Sequence, residues 1–370
     1  MQNSQIMELQ TVQNKLQKAV ELELSTIPPY LTAWFSIAPE TNPEASSTIR
    51  SVFMEEMLHM ILAANVLTAI GGKTKLNKNT IPQYPLLLNF EGKVFKEREF
   101  EVNLARLCPE TLCTFLQIEL PGDWDWNANH PKACKKQQVN TEEDMEFDVH
   151  GFTIGDFYEE IKHDLKCLVE EAGGDESKVF IGNKEHQVDI NYYWKGGGIP
   201  VIVTDLKSAF EAIDVITEQG EGASAVTVLD GDRHFFGQQE EVAHFFRFNE
   251  ILMEQYYKPD DNPKEPPTGA PMVVDYNSVS NIKANCTSID FLYTPVLQRL
   301  NNEFNYNYTL MLKQLEEGLT GQPRVLYTAI MNGMHSLAPI AYQMAQIPIY
   351  ENPQHETGAP SFEWVENLPQ

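Results

Sequence analysis

The sequence predicts a mainly α chain built on a four-helix bundle, with a long irregular insertion and additional C-terminal helices. Three observations predict this. Apolar residues recur at three and four spacing over most long segments, the signature of amphipathic helices. Glycine and proline pairs fall where that periodicity stops, as at Gly71-Gly72 and Gly318 to Pro323. Two stretches, Glu56-x-x-His59 and Glu241-x-x-His244, repeat one acid–imidazole spacing. Residues three apart lie on the same helix face, one turn above the other.

The first helix is expected over 5–36, where Leu9, Val12, Leu16, Ala19, Val20, Glu23 and Ile27 form one stripe. Glu23 stands where an apolar residue is expected, and a lone buried carboxylate is costly unless paired or metal-bound. Pro28 and Pro29 predict a kink or break. After the loop 39–46, Ser46 or Ser47 can cap a second helix running to Ile70. On it Glu56 shares a face with Phe53, Met60 and Ala63, and His59 with Leu62, Ala63 and Val66.

Residues 72–150 read as an insertion over one end of the bundle, a candidate lid, with a short helix at Glu110 to Glu119 and a charge run at Glu142 to Glu146. A helix over 153–172 buries Ile154, Phe157, Ile161, Leu165 and Leu168. Its Glu160-x-x-His163 falls about 100° and 160° from the stripe centre, so this third match is read as solvated. Residues 173–203 are expected to be loop with a short strand or two. The next helix, Leu206 to Gly220, is capped by Thr204-Asp205 and leads to Glu221 at the stripe edge, with Glu218 further round. The last bundle helix is expected over 238–257, carrying Glu241 and His244.

These elements make residues 1–257 the expected bundle. Residues 258–370 are the expected linker, two C-terminal helices near 289–318 and 322–346, and a proline-containing tail, packed on it. Tyr30 and Tyr158 are read as packing residues rather than pocket lining.

Two acid–imidazole helices, each joined by a helix offering one more glutamate, make the ligand set of a di-metal carboxylate bundle. The expected metal ligands are therefore Glu23, Glu56, His59, Glu221, Glu241 and His244, with Glu218 as the replacement for Glu221. Glu56 and Glu241 would bridge. Carboxylates with imidazole suit iron first and manganese second, with dioxygen the expected co-substrate.

The net charge of −26 argues against nucleic acid and anionic membrane as partners. The polar Met1 to Gln10 segment and the lack of a run of about 18 apolar residues predict neither leader nor membrane span. Five scattered cysteines without a C-x-x-C pair predict reduced thiols and a cytoplasmic location. The expected partner is a small-molecule substrate, an amino-acid-derived metabolite being one candidate class. Homo-oligomerisation is left open, and a metal-storage or purely structural protein is the alternative reading.

Several strings also carry a resemblance. They are Leu22-Glu-Leu-Ser-Thr-Ile-Pro-Pro-Tyr30, Glu55-Glu-Met-Leu-His-Met60, Ile154-Gly-Asp-Phe-Tyr158, Glu218-Gln-Gly-Glu-Gly222 and Glu241-Val-Ala-His-Phe-Phe-Arg-Phe248. Gly321-Gln-Pro, Ala329-Ile-Met-Asn-Gly-Met334 and Gly358-Ala-Pro-Ser-Phe-Glu363 add to them. Together they make the chain resemble ferritin-like proteins of the iminophenyl-pyruvate dimer synthase type, found in violacein- and rebeccamycin-pathway enzymes. The resemblance spans nearly the whole chain. It implies a ferritin-like bundle and the same six site residues.

Overall fold

The computed structural model describes residues 2–88, 100–122, 124, 134, 153–193, 196–224, 226–237, 240–352 and 354–366. Two long helices, α1 (Gln2–Ser36) and α2 (Pro43–Ala69), form an antiparallel pair. Helix α3 (Pro109–Ile118) follows a small hairpin in which β1 (Leu86–Leu88) pairs antiparallel with β2 (Phe100–Val102), Leu86 opposite Val102. Helices α4 (Ile154–Glu171) and α5 (Leu206–Glu221) complete a four-helix ring. In it α1 packs on α2 and α4, and α5 packs on α2 and α4.

The ring is closed by α1, α2, α4 and α5. The expected fourth member near 238–257 lies outside it. That segment yields only α7 (His244–Met253), which packs on α3, α2 and α5 after a short helix α6 (Asp232–Phe236). The late start has a local cause. Leu229 and Val242 form an antiparallel bridge, Asp230 N–H donates to the Glu241 carbonyl, and Ala243 N–H donates to the Val228 carbonyl. Extended pairing over 241–243 competes with helix and wins, so Glu241 and His244 do not share a helix face.

Helix α1 runs unbroken through Pro28 and Pro29. Proline at 29 leaves the Ser25 carbonyl without its intrahelical donor, and the Tyr84 hydroxyl supplies one at 2.7 Å. Residues 173–193 hold two 3₁₀ turns rather than strands. At the C-terminus α8 (Pro295–Leu319) packs against α9 (Leu326–Thr328), a π-helical turn (Ala329–Met334) and α10 (His335–Met344). Buried Asn301 and Asn305 anchor the tail through Ser361.

Helix α2 is long and apolar enough to cross a membrane by length and composition, but 89% of that window is buried against the rest of the chain. Cys113 and Cys134 are joined in a disulfide, which corrects the expectation of reduced thiols throughout; Cys108, Cys167 and Cys286 are free. Part of the expected lid, including the run from Glu142 to Glu146, lies outside the described residues.

Candidate metal centre

Five buried side chains converge where α1, α2, α3 and α7 meet. Glu23 comes from α1, Glu56 and His59 from α2, Glu119 from the residue that ends α3, and His244 from the first turn of α7. His59 Nδ1 lies 3.8 Å from Glu23 Oε2 and 3.7 Å from Glu56 Oε1. His244 Nδ1 lies 2.8 Å from Glu56 Oε1 and 3.5 Å from Glu119 Oε2. The arrangement has approximate symmetry, with Glu23 and His59 on one side, Glu119 and His244 on the other, and Glu56 between. The two rings are stacked, 5.3 Å apart at 25°.

Each carboxylate has its second oxygen tied back. Tyr158 donates to Glu23 Oε1, Tyr30 donates to Glu119 Oε1, and Thr26 donates to Glu56 Oε2 at 2.8 Å. The two tyrosines read as packing residues thus orient the cluster. The outer ring nitrogens are also held. His244 Nε2 lies 2.8 Å from Glu55 Oε2, and Glu55 receives Arg247 Nη1 at 2.9 Å. His59 Nε2 lies 2.9 Å from Gln219 Oε1, whose amide nitrogen donates to Asp232 and to the Gly197 carbonyl, each at 2.7 Å. Gln219 Oε1 is therefore the acceptor and His59 Nε2 carries the proton. Both imidazoles turn Nδ1 inward, the ligand tautomer that an outer hydrogen bond selects.

Three buried carboxylates this close repel. Burial and the neighbouring Glu56 charge push the Glu23 carboxyl well up and the Glu119 carboxyl up. Burial would raise Glu56 as well, but the His244 and His59 rings outweigh it and hold it down. Burial would lower His244, yet Glu119, Glu55 and Glu56 raise it well above the ordinary histidine value; His59 is lowered by burial. Burial is overcome at Glu55 too, which Arg247 and His244 hold at about 2.

The donor set fits a metal. Glu56 Oε1 and His244 Nδ1 are both fully buried and both lack a hydrogen-bond partner among the described residues. They lie 2.8 Å apart but are not aligned as a hydrogen bond, leaving two potential ligand atoms facing a shared space. Glu56, His59 and His244 can each present a ligand atom within 4.8 Å of the others.

Of the six residues expected from sequence, the structure brings together Glu23, Glu56, His59 and His244. Glu221 is elsewhere. Its carboxylate accepts the Gly122 and Gly155 backbone N–H groups at 2.9 and 2.8 Å and clamps the end of α3 to the start of α4. Glu241 is 59% exposed and pairs with Arg247 at 3.2 Å. Glu218, the reserve candidate, lines an outer cavity instead. Glu119 takes a place that the sequence pattern assigned to neither helix. A signal existed, since Leu112, Phe115, Leu116 and Glu119 follow the three-and-four spacing that drew attention to Glu23. Glu160 and His163 face outward, as their helix positions predict; Glu160 pairs with Lys15.

A family model described as ferritin-like matches residues 16–253, well over half of the chain. The chain belongs to the ferritin-like family. A crystal structure of a ferritin-like protein from Caulobacter vibrioides shares the fold, with a TM-score of 0.57 at 19% identity over 95% of this chain and 97% of that one. Dichlorochromopyrrolate synthase of Lentzea aerocolonigenes is 25% identical over 341 residues, which is 87% of this ferritin-like chain. The chain spans about 30% of the length of that relative.

Proposed function

We propose that this chain is a non-haem metal-dependent oxidoreductase acting on a small molecule. The observation that carries the reading is the pair of buried, unpartnered atoms, Glu56 Oε1 and His244 Nδ1, inside a cluster of three carboxylates and two correctly oriented imidazoles. Glu23 with His59 and Glu119 with His244 would each hold one ion, and Glu56 would serve both. Oxygen and imidazole donors without thiolate suit iron, with manganese second. Bound iron or manganese supplies redox chemistry with dioxygen as co-substrate.

The chain's own residues do the rest. Tyr158, Tyr30 and Thr26 orient the carboxylates, while Gln219 and Glu55 fix the proton on the outer nitrogen of each ring. Tyr30, Phe115 and Phe248 pack edge to face or tilted beside the centre and exclude water. A cavity of about 470 Å³ is lined by residues 121–122 and 221–222 together with Trp124, Phe246 and Glu218. Its wall is continuous with the segments bearing Glu119 and Gln219, so it is the proposed small-molecule site. The name of the Lentzea relative, a synthase of dichlorochromopyrrolate, supports an organic metabolite as the substrate class.

The test is metal analysis of the purified chain, followed by reduction without air and measurement of oxygen uptake. The expected result is bound iron or manganese and oxygen uptake, with oxygen uptake lost in both Glu56→Ala and His244→Ala, bound metal lost in Glu56→Ala and reduced in His244→Ala. Bound metal without oxygen uptake would assign a metal-holding role and sink the oxidoreductase reading.

A further inference from the structure

The two inward-facing imidazoles are backed by partners of different charge. His59 leans on a neutral amide, Gln219, with Asp232 one hydrogen bond further out. His244 leans on a carboxylate, Glu55, whose other oxygen meets Arg247, and Arg247 reaches Asp230 at 3.2 Å. Every side chain in both relays is buried. Glu55, Arg247 and Asp230 in the His244 relay thus sum to one negative charge, exposed Glu241 adds a second at 3.2 Å from Arg247, and the partner touching the ring is itself charged. Among the described residues nothing charged touches the outer nitrogen of His59. A carboxylate accepting from one ring nitrogen makes the other a stronger donor to a cation than a neutral amide does. The inner surroundings do not offset this, because each ring faces one terminal glutamate, each tied to one tyrosine, and both share Glu56.

Resting on the metal centre proposed above, we propose that the two metal positions are unequal and fill in order, the Glu119–His244 position first and the Glu23–His59 position second. Glu55 is the positioning residue that sets the order, and Gln219 is its neutral counterpart. Partners of this kind alter metal affinity by about 10- to 100-fold, so the two steps should be separated by about tenfold or more.

The experiment strips the full-length chain with chelator and titrates it with Co²⁺ under nitrogen, following visible absorption and bound metal by equilibrium dialysis. Two ions per chain are expected, in two resolved steps. His244→Ala removes the tight step and leaves a weak one, and His59→Ala does the reverse. Glu55→Gln weakens the first step by about 10- to 100-fold and leaves the second in place, which also shows that the variant is folded. Gln219→Leu weakens only the second. Equal steps in the wild type, a tight step that survives His244→Ala, or a first step indifferent to Glu55→Gln overturns the order. One ion per chain also overturns it while leaving a metal centre standing. No bound ion at all defeats the metal centre on which the order rests.

Discussion

Replacing Glu119 and Glu241 by glutamine in parallel separates the geometry from the motif. Glu119 is 5% exposed, with Oε2 at 3.5 Å from His244 Nδ1, whereas the Glu241 side chain is 59% exposed and its carboxylate pairs with Arg247. Glutamine at 119 can still accept from Tyr30, so the substitution removes charge without orphaning the phenol. Losing a ligand should cost at least as much as losing an outer partner, so affinity should fall by about 100-fold. At a metal concentration of about 100 times the wild-type dissociation constant, binding stabilises the wild type by about 2.7 kcal/mol, and the Glu119→Gln variant by only about 0.4 kcal/mol. For a chain of this size a metal-dependent rise in melting temperature of about 3–4 °C should shrink to about 0.5 °C. Without metal the sign reverses. Removing one of three mutually repelling carboxylates should make stripped Glu119→Gln more stable than stripped wild type, by on the order of 1 kcal/mol. Glu241→Gln should bind metal as the wild type does and shift stability by less than about 1 kcal/mol, as an exposed ion pair implies. Thermal melts with and without metal read all four numbers. A Glu119→Gln chain that holds metal normally, or a Glu241→Gln chain that loses it, refutes the assignment.

Arg247→Met should destabilise by about 3–5 kcal/mol in urea titration, because it strands Glu55 and Asp230 as buried carboxylates without their cation. Burial raises Glu221 from 4.5 to about 7 despite two backbone donors, so the folded state holds its proton longer than the unfolded chain. That contribution is full below about pH 4.5 and is lost as pH rises to about 7, on the order of 3 kcal/mol. In Glu221→Gln, urea midpoints should therefore fall less between pH 5 and 8 than in the wild type; identical slopes would remove Glu221 as the cause. The Cys113–Cys134 bond closes a loop of sequence separation 21, so the double Cys→Ala variant should lose about 3 kcal/mol, read from the same titration.

How much of this was legible depended on the length and regularity of each element. Glu23, Glu56 and His59 stood out because α1 and α2 are long, and a polar residue within an apolar stripe of several turns is carried into the interior with it. Glu119 obeys the same spacing in a helix of under three turns that runs into Pro121-Gly122, so it reads as an end rather than an inward face. His244 reaches the cluster from the first turn of a helix shorter than the one expected, without Glu241 beside it. The bridge between 229 and 242 joins segments thirteen apart, and helical periodicity carries no trace of such pairing. Gln219 sits on the stripe with Ala212 and Ile216, but its acidic neighbours Glu218 and Glu221 drew the assignment away from it. The disulfide escaped for a similar reason, since two cysteines 21 apart carry no spacing signature.

The ring of α1, α2, α4 and α5 contributes only part of the cluster. Glu119 and His244 come from segments outside it, 63 and 188 positions beyond Glu56 in the chain. An ion seated there would act as a rivet through three pieces far apart in the chain. Stripping it should loosen the two outer pieces before the helical barrel itself gives way. Amide exchange along α3 and α7 should then quicken on chelation while that of α1 and α2 holds, so the protein's local rigidity would report its metal supply.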